Sequence, residues 1–275
     1  MLDRASEQAE PKVDTRPVEF RGAGFVPGTG RYSGWISLAI VLALWQLAGS
    51  AGWVNPLFLP PPSAIAVAIW KLASSGALWQ HVSWSIMRIG VGWIIGTAAG
   101  VAVGFAIGLS TLARSVGITF ISALFPIPKI ALLPLLLLAF GFGDASKVAL
   151  VAIAVFFPVV VNTYVGAANI EKIYWDVAKN YGASQMVVFT RVVFFGALPT
   201  IFAGLRIALA VSFIVLVASE FVATKSGIGY LIWSSWELLQ VDVMFVGIVT
   251  IGILGLISSV LFQELERRAI PWRTR

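Results

Sequence analysis

Few residues in this chain have the chemistry to act on a substrate, and their spacing excludes most reactions. His81 is the only histidine. With no second ligand of suitable type near it, it reads as a residue of the membrane interface beside Trp79 and Trp84 rather than a metal or proton site. There is no cysteine, which removes disulfides, thiolate zinc sites and thiol chemistry. No Ser-His-Asp set, paired acids or HExxH stretch falls on an apolar run, which argues against an intramembrane hydrolase. A G-x-x-x-x-G-K-[ST] phosphate loop is also missing, so any use of ATP must place the nucleotide on another polypeptide. What remains are charges set in apolar surroundings. Lys129 inside a span would cost about 3 kcal/mol on an insertion scale, so it is expected near a surface or in a wet cavity. Arg206 and Glu220 stand towards the two ends of one apolar run, each within reach of a surface. Glu220 and Lys225 read as a snorkelled surface pair or as a substrate gate.

Those charges are scarce because the chain is built for a bilayer. Of its 275 residues 59% are hydrophobic and 12% charged, where a soluble domain carries about 25% charged residues. At roughly 20 residues per helical span plus loops, five to seven spans fit. The formal net charge of +6 comes from scattered loop residues rather than a basic stripe, so it speaks for membrane orientation and not for nucleic acid.

The expected fold is an all-α membrane protein with six transmembrane helices. Residues 1–31 mix charges with Pro and Gly, lack an apolar core, and read as a cytoplasmic tail rather than a cleaved signal peptide. Residues 32–275 form the membrane domain. Span 1 is Trp35 to Val54, and Asn55 to Val82 is an external interfacial loop that turns at Pro60-Pro61-Pro62 and is anchored by Trp70, Trp79 and Trp84. Span 2, between Arg88 and Arg114, carries Gly92, Gly96, Gly100, Gly104 and Gly108. This four-residue spacing makes one small-residue face for helix packing, with gating or dimer contact as the second reading. Span 3 is broken by Pro126, Pro128 and Pro134. Span 4 runs from Val148 to about Val165, span 5 from Leu198-Pro199 to about Ala218, and span 6 from Val243 to Phe262. Between spans 5 and 6, Ser226-Gly227-Ile228-Gly229-Tyr230 is a turn leading into an aromatic surface helix. With the N-terminus inside, Arg4, Lys12, Arg16, Arg21, Arg31, Arg114, Lys172, Lys179, Arg191, Arg267, Arg268, Arg273 and Arg275 are internal, and only Lys71, Arg88, Lys147 and Lys225 external. That asymmetry obeys the positive-inside rule and puts both termini in the cytoplasm.

The most elaborate connection is the loop 168–197. Glu171 to Tyr181 has helical composition, Gly182 supplies a stop that tolerates φ > 0, and Ser184 is placed to cap a second helix entering Val187. Asp176, Ala178 and Gly182 take the first, third and seventh places of the EAA motif. In this respect the loop resembles that of permease subunits of bacterial ATP-binding cassette (ABC) importers. Val177 stands at the second place, where an alanine is usual, and Val192, Phe194 and Phe195 replace the distal Ile-x-Leu-Pro. Phe125 to Gly143 is similar to the Pro-rich third span of the nitrate, taurine and aliphatic sulfonate branch, and the Ser-Gly-Ile-Gly-Tyr segment is similar to one in the same branch.

That resemblance, over roughly Pro56 to Pro271, implies the type I ABC importer permease fold in the bacterial inner membrane. It implies alternating access for a small anionic nutrient. ATP and Mg would be held by two ABC ATPase subunits and not by this chain. A second permease chain would complete a homodimer, and a periplasmic or lipid-anchored binding protein would deliver substrate. Asp176, Ala178, Gly182, Ala183, Ser184 and Gln185 would dock on the ATPase. For Asp176 a second reading is that it complements the N-terminus of its own short helix. The competing function is a self-contained secondary carrier, which expects inverted repeats and mid-span ionisable groups; no convincing repeat is found, and Arg206 and Lys129 are poor candidates for a coupling site.

Overall fold

The glycine row decides the centre of the fold. In the computed structural model, which describes residues 32–222 and 224–272, Gly92, Gly96, Gly100, Gly104 and Gly108 are buried on helix α3 (Ala77–Leu109). They face α6 (Asp144–Ala168), where the buried residues Val151, Val155, Val159, Thr163 and Ala167 recur at the same interval. The fit is close at every step. A Cβ at Gly96 would stand 2.4 Å from the Ala152 carbonyl oxygen, and one at Gly104 would stand 2.5 Å from Thr163 Cβ. Packing within the chain therefore accounts for the row, as glycine-lined helix contacts do in membranes. Gly100→Leu, whose Cβ alone would lie 2.8 Å from Val159 Cβ, is expected to cost about 3 kcal/mol. Gly90→Ala on the same helix meets open space and should be neutral or slightly stabilising. Thermal unfolding of the two variants in detergent separates them; equal behaviour would contradict this packing.

Because Gly92 meets Val151 and Gly108 meets Ala167, α3 and α6 run parallel. The chain between them must therefore climb back over about 30 Å, the thickness of a bilayer core. It does so through α4 (Thr111–Leu124) and, after a short 3₁₀ turn (Lys129–Leu132), α5 (Leu133–Phe140), with a 91° bend between the two halves. Among the described residues five helices are long and apolar enough to cross a membrane, and the bent pair, taken as one span, makes a sixth. The bend exposes carbonyls that no helix satisfies. Lys129 Nζ donates to three of them, Leu124 O at 2.9 Å, Phe125 O at 2.9 Å and Ile127 O at 2.8 Å, and lies 4.1 Å from the Phe157 ring centre. The half-buried lysine is thus stabilised by backbone and a ring, a setting not anticipated from its position.

The remaining elements correct two expected boundaries. The fifth span does not begin at Pro199: α8 runs unbroken over Gln185–Phe221, 37 residues, with Pro199 inside it and one π turn at Val188–Val193. Proline is tolerated inside membrane helices because neighbours and local π adjustment satisfy the freed groups. The stretch Asn55–Val82 is not one loop either. It contains α2 (Pro62–Ser74), with Pro62 at its start, and the first residues of α3, including His81. Ile65 and Ala68 of α2 are buried with Leu78, Val82, Ile228, Leu231 and Val246, which is why that segment folds inward. α9 (Ile228–Glu237) and α10 (Val241–Ala269) complete the chain, and α9 buries Ile228, Gly229, Leu231 and Ser235 rather than lying wholly at a surface. The chain divides into two units, residues 1–43 and 44–275. The first holds the start of α1 (Ser33–Ser50), a helix without a buried residue. The expected tail, residues 1–31, lies outside the described residues.

Candidate functional site

The loop after α6 is built as the spacing of its residues requires. α7 (Lys172–Asn180) ends in a Schellman turn: Gly182 N–H donates to Lys179 O at 3.0 Å and Ala183 N–H to Ala178 O at 2.9 Å. Gly182 has φ +64°, a left-handed conformation that glycine takes without a Cβ penalty. Ser184 then caps α8, its Oγ accepting from Val187 N–H. The turn sets two helices at a fixed angle, and the outer one shows its apolar side chains to solvent: Ile173, Tyr174, Val177 and Tyr181 are all exposed. A groove of about 680 Å3 beside it is lined by Trp175, Asp176, Lys179, Ala183, Gln185 and Phe189 among others. Of the expected contact residues, Asp176, Ala183 and Gln185 line this groove, Ala178 and Gly182 build the turn, and Ser184 caps. Asp176 is the fifth residue of α7, beyond its first turn, so it does not complement the helix N-terminus.

At the other end of the same helices stands a charge network that the sequence reading missed. Glu220 is not a surface residue and does not meet Lys225, which is exposed. It is fully buried and accepts from Arg88 Nη1 at 2.6 Å, Ser85 Oγ at 2.9 Å and Gly229 N–H at 2.8 Å. Arg88 reaches Asp144 through Nε at 2.7 Å, and the Ser226 carbonyl and hydroxyl at 2.8 and 2.9 Å. The buried Lys147 donates to Phe142 O at 2.7 Å and Gly143 O at 3.0 Å, closing the turn before α6.

This network explains the Ser-Gly-Ile-Gly-Tyr segment. Gly227 has φ +114° and ψ 163°, a region populated essentially by glycine, and a Cβ there would sit 2.2 Å from Glu220 Oε1. The carboxylate takes the place of the missing cap at the N-terminus of α9, where a negative charge is favoured. His81 is structural rather than an interfacial bystander, since its Nδ1 accepts Gly227 N–H at 3.2 Å. The signal available in sequence was opposite charges at equal depth on three spans, Arg88, Asp144 and Glu220. No group of three or more His, Cys, Asp or Glu fit to hold a metal ion occurs among the described residues.

Comparison with known proteins agrees with this architecture. The family described as "Binding-protein-dependent transport system inner membrane component" matches residues 92–271. A protein of Escherichia coli (strain K12) named as an aliphatic sulfonates transport permease, SsuC, is 38% identical over 242 residues, 88% of this chain and 92% of that one. The taurine transport system permease protein TauC of the same organism is 34% identical, covering 86% and 88%. The nitrate import permease protein NrtB of Leptolyngbya laminosa is 28% identical, covering 86% of each.

Proposed function

The chain belongs to the family of binding-protein-dependent transport system inner membrane components and is the permease subunit of an ABC importer; from that premise we propose how it is assembled and driven. Two copies pair as a homodimer with α8 and its neighbours along the path. Each copy docks one of two ATPase subunits, which bind ATP and Mg. A periplasmic or lipid-anchored binding protein delivers the solute at the opposite end, where the Arg88 network lies. Both termini and the loop 168–197 are cytoplasmic, supported by the excess of Lys and Arg on that side. The solute is a small anion of the sulfonate, taurine or nitrate type, the class named in the relatives.

The observation that carries this reading is α7: a short helix locked by its Schellman turn, with apolar side chains held in solvent. An exposed apolar cluster of this kind marks a surface that another protein covers. Asp176, Ala178, Gly182, Ala183, Ser184 and Gln185 form or support that surface, and closure of the ATPase pair on ATP moves it and so reorients the spans. The test is reconstitution into proteoliposomes. The chain with its ATPase and binding protein is expected to accumulate labelled taurine, ethanesulfonate or nitrate only when ATP is supplied. Uptake by the chain alone would contradict the reading.

A further inference from the structure

Arg206 stands on the exposed side of α8, about 21 Å along the helix from Glu220. Its side chain is 48% exposed, and its one ion pair is with Glu266 of α10, itself 18% exposed. The guanidinium lines the end of a groove of about 670 Å3 between α8 and α10, whose other walls include Ile214, Phe221, Gly252, Gly255 and Ser259. One feature of this groove is unexplained by packing. An arginine in a span is costly unless it faces a partner or a wet path, and Glu266 leaves half of this one uncovered. Apart from Arg206 and Ser259 the groove is apolar, so the uncovered guanidinium is its one cationic group, and it is accounted for if that end of the groove must stay open to something small and negative.

We infer that Arg206 is the residue that contacts the anion on the transport path, with Glu266 holding the guanidinium while the path is empty. The inference rests on the paired-chain reading above: two copies meeting along α8 bring two such arginines to one path, and the oxygens of one oxyanion can accept from both guanidinium groups. Guanidinium suits this task because its planar fork of donors matches the oxygens of a sulfonate or nitrate, and rings of basic side chains are how pores select anions. A second copy seated directly in the groove would instead bury the exposed guanidinium without a counter-charge.

The experiment uses the complete importer in proteoliposomes, with labelled taurine, ethanesulfonate and nitrate as probes at saturating binding protein. Arg206→Gln is expected to lower the maximal uptake rate about tenfold or more, and Arg206→Lys by less, because it keeps the charge and loses the fork. Glu266→Gln is expected to keep at least about half of the uptake, since the guanidinium remains. The double variant Arg206→Gln/Glu266→Gln decides between contact and scaffold. If Arg206 serves only to neutralise Glu266, removing both charges restores uptake, and that result overturns the inference. Wild-type uptake in Arg206→Gln overturns it too. Should Arg206→Gln fail to assemble, Glu266→Gln still decides: loss of uptake there marks a structural pair. An unmodified importer that hydrolyses ATP but carries none of the three probes overturns the anion reading of the function itself, a different outcome from any of these.

Discussion

Replacing Gly182 with valine is expected to leave the importer inserted and assembled while abolishing coupled transport. The position has φ +64° and open space where a side chain would go, so the penalty is backbone strain and not a clash. A β-branched residue there costs about 2 kcal/mol, and the chain relieves it by leaving the left-handed region. Doing so breaks the bonds from Gly182 to Lys179 and from Ala183 to Ala178 and swings α7 away from α8. Ala178→Glu reaches the same end by another route, putting a carboxylate on a half-buried position that the ATPase is proposed to cover. In both variants uptake and binding-protein-stimulated ATP hydrolysis should fall about tenfold or more, while Gly182→Asn, which tolerates φ > 0, should retain most activity. Both variants assembling normally with full coupled hydrolysis and uptake would show that the loop does not transmit the signal.

The second large effect is expected at the far end. Glu220→Ala removes the acceptor for Arg88, Ser85 and Gly229 at once and leaves Arg88 with Asp144 as its carboxylate partner. Removing one member of a buried ion pair costs about 3–5 kcal/mol, so the unfolding midpoint in detergent should drop by about 10 °C. Gly227→Ala should behave similarly, since it combines a glycine-only conformation with a Cβ 2.2 Å from the carboxylate. Glu220→Gln keeps the shape and the acceptor for Gly229 but loses the charge, and should fall between. A midpoint within about 2 °C of the parent for Glu220→Ala would mean that the network contributes nothing to stability.

The contrast between these two regions shows what a sequence displays and what it hides. The loop was legible because every part of it is local: the helical composition of 171–181, the stop at Gly182 and the cap at Ser184 lie within a few residues of each other and act through neighbouring backbone. The glycine row was legible for a similar reason, since a spacing of four defines a face whatever covers it, although the identity of the covering helix was not. Glu220 was misread because its partner Arg88 is 132 residues away, and an acid at the end of an apolar run looks the same whether it reaches for water or for a guanidinium. The span 185–221 was cut short because proline is a helix breaker in water, a rule that weakens where neighbouring helices can satisfy the freed carbonyl. Six crossings emerge from combining both kinds of information: the prolines of 126–134 announce a break, and the parallel pairing of α3 with α6 shows that the broken segment must still cross.

The central claim is that an ATPase drives this permease through the loop at 176–185. Since the chain has no cysteine of its own, one introduced thiol can carry a photoreactive benzophenone to a single place. In the assembled importer, Gln185→Cys at the exposed start of α8 should crosslink to the ATPase, and Ser74→Cys at the exposed end of α2 should not. Crosslinking of the ATPase from position 74 and not from position 185 would contradict both the orientation and the coupling site.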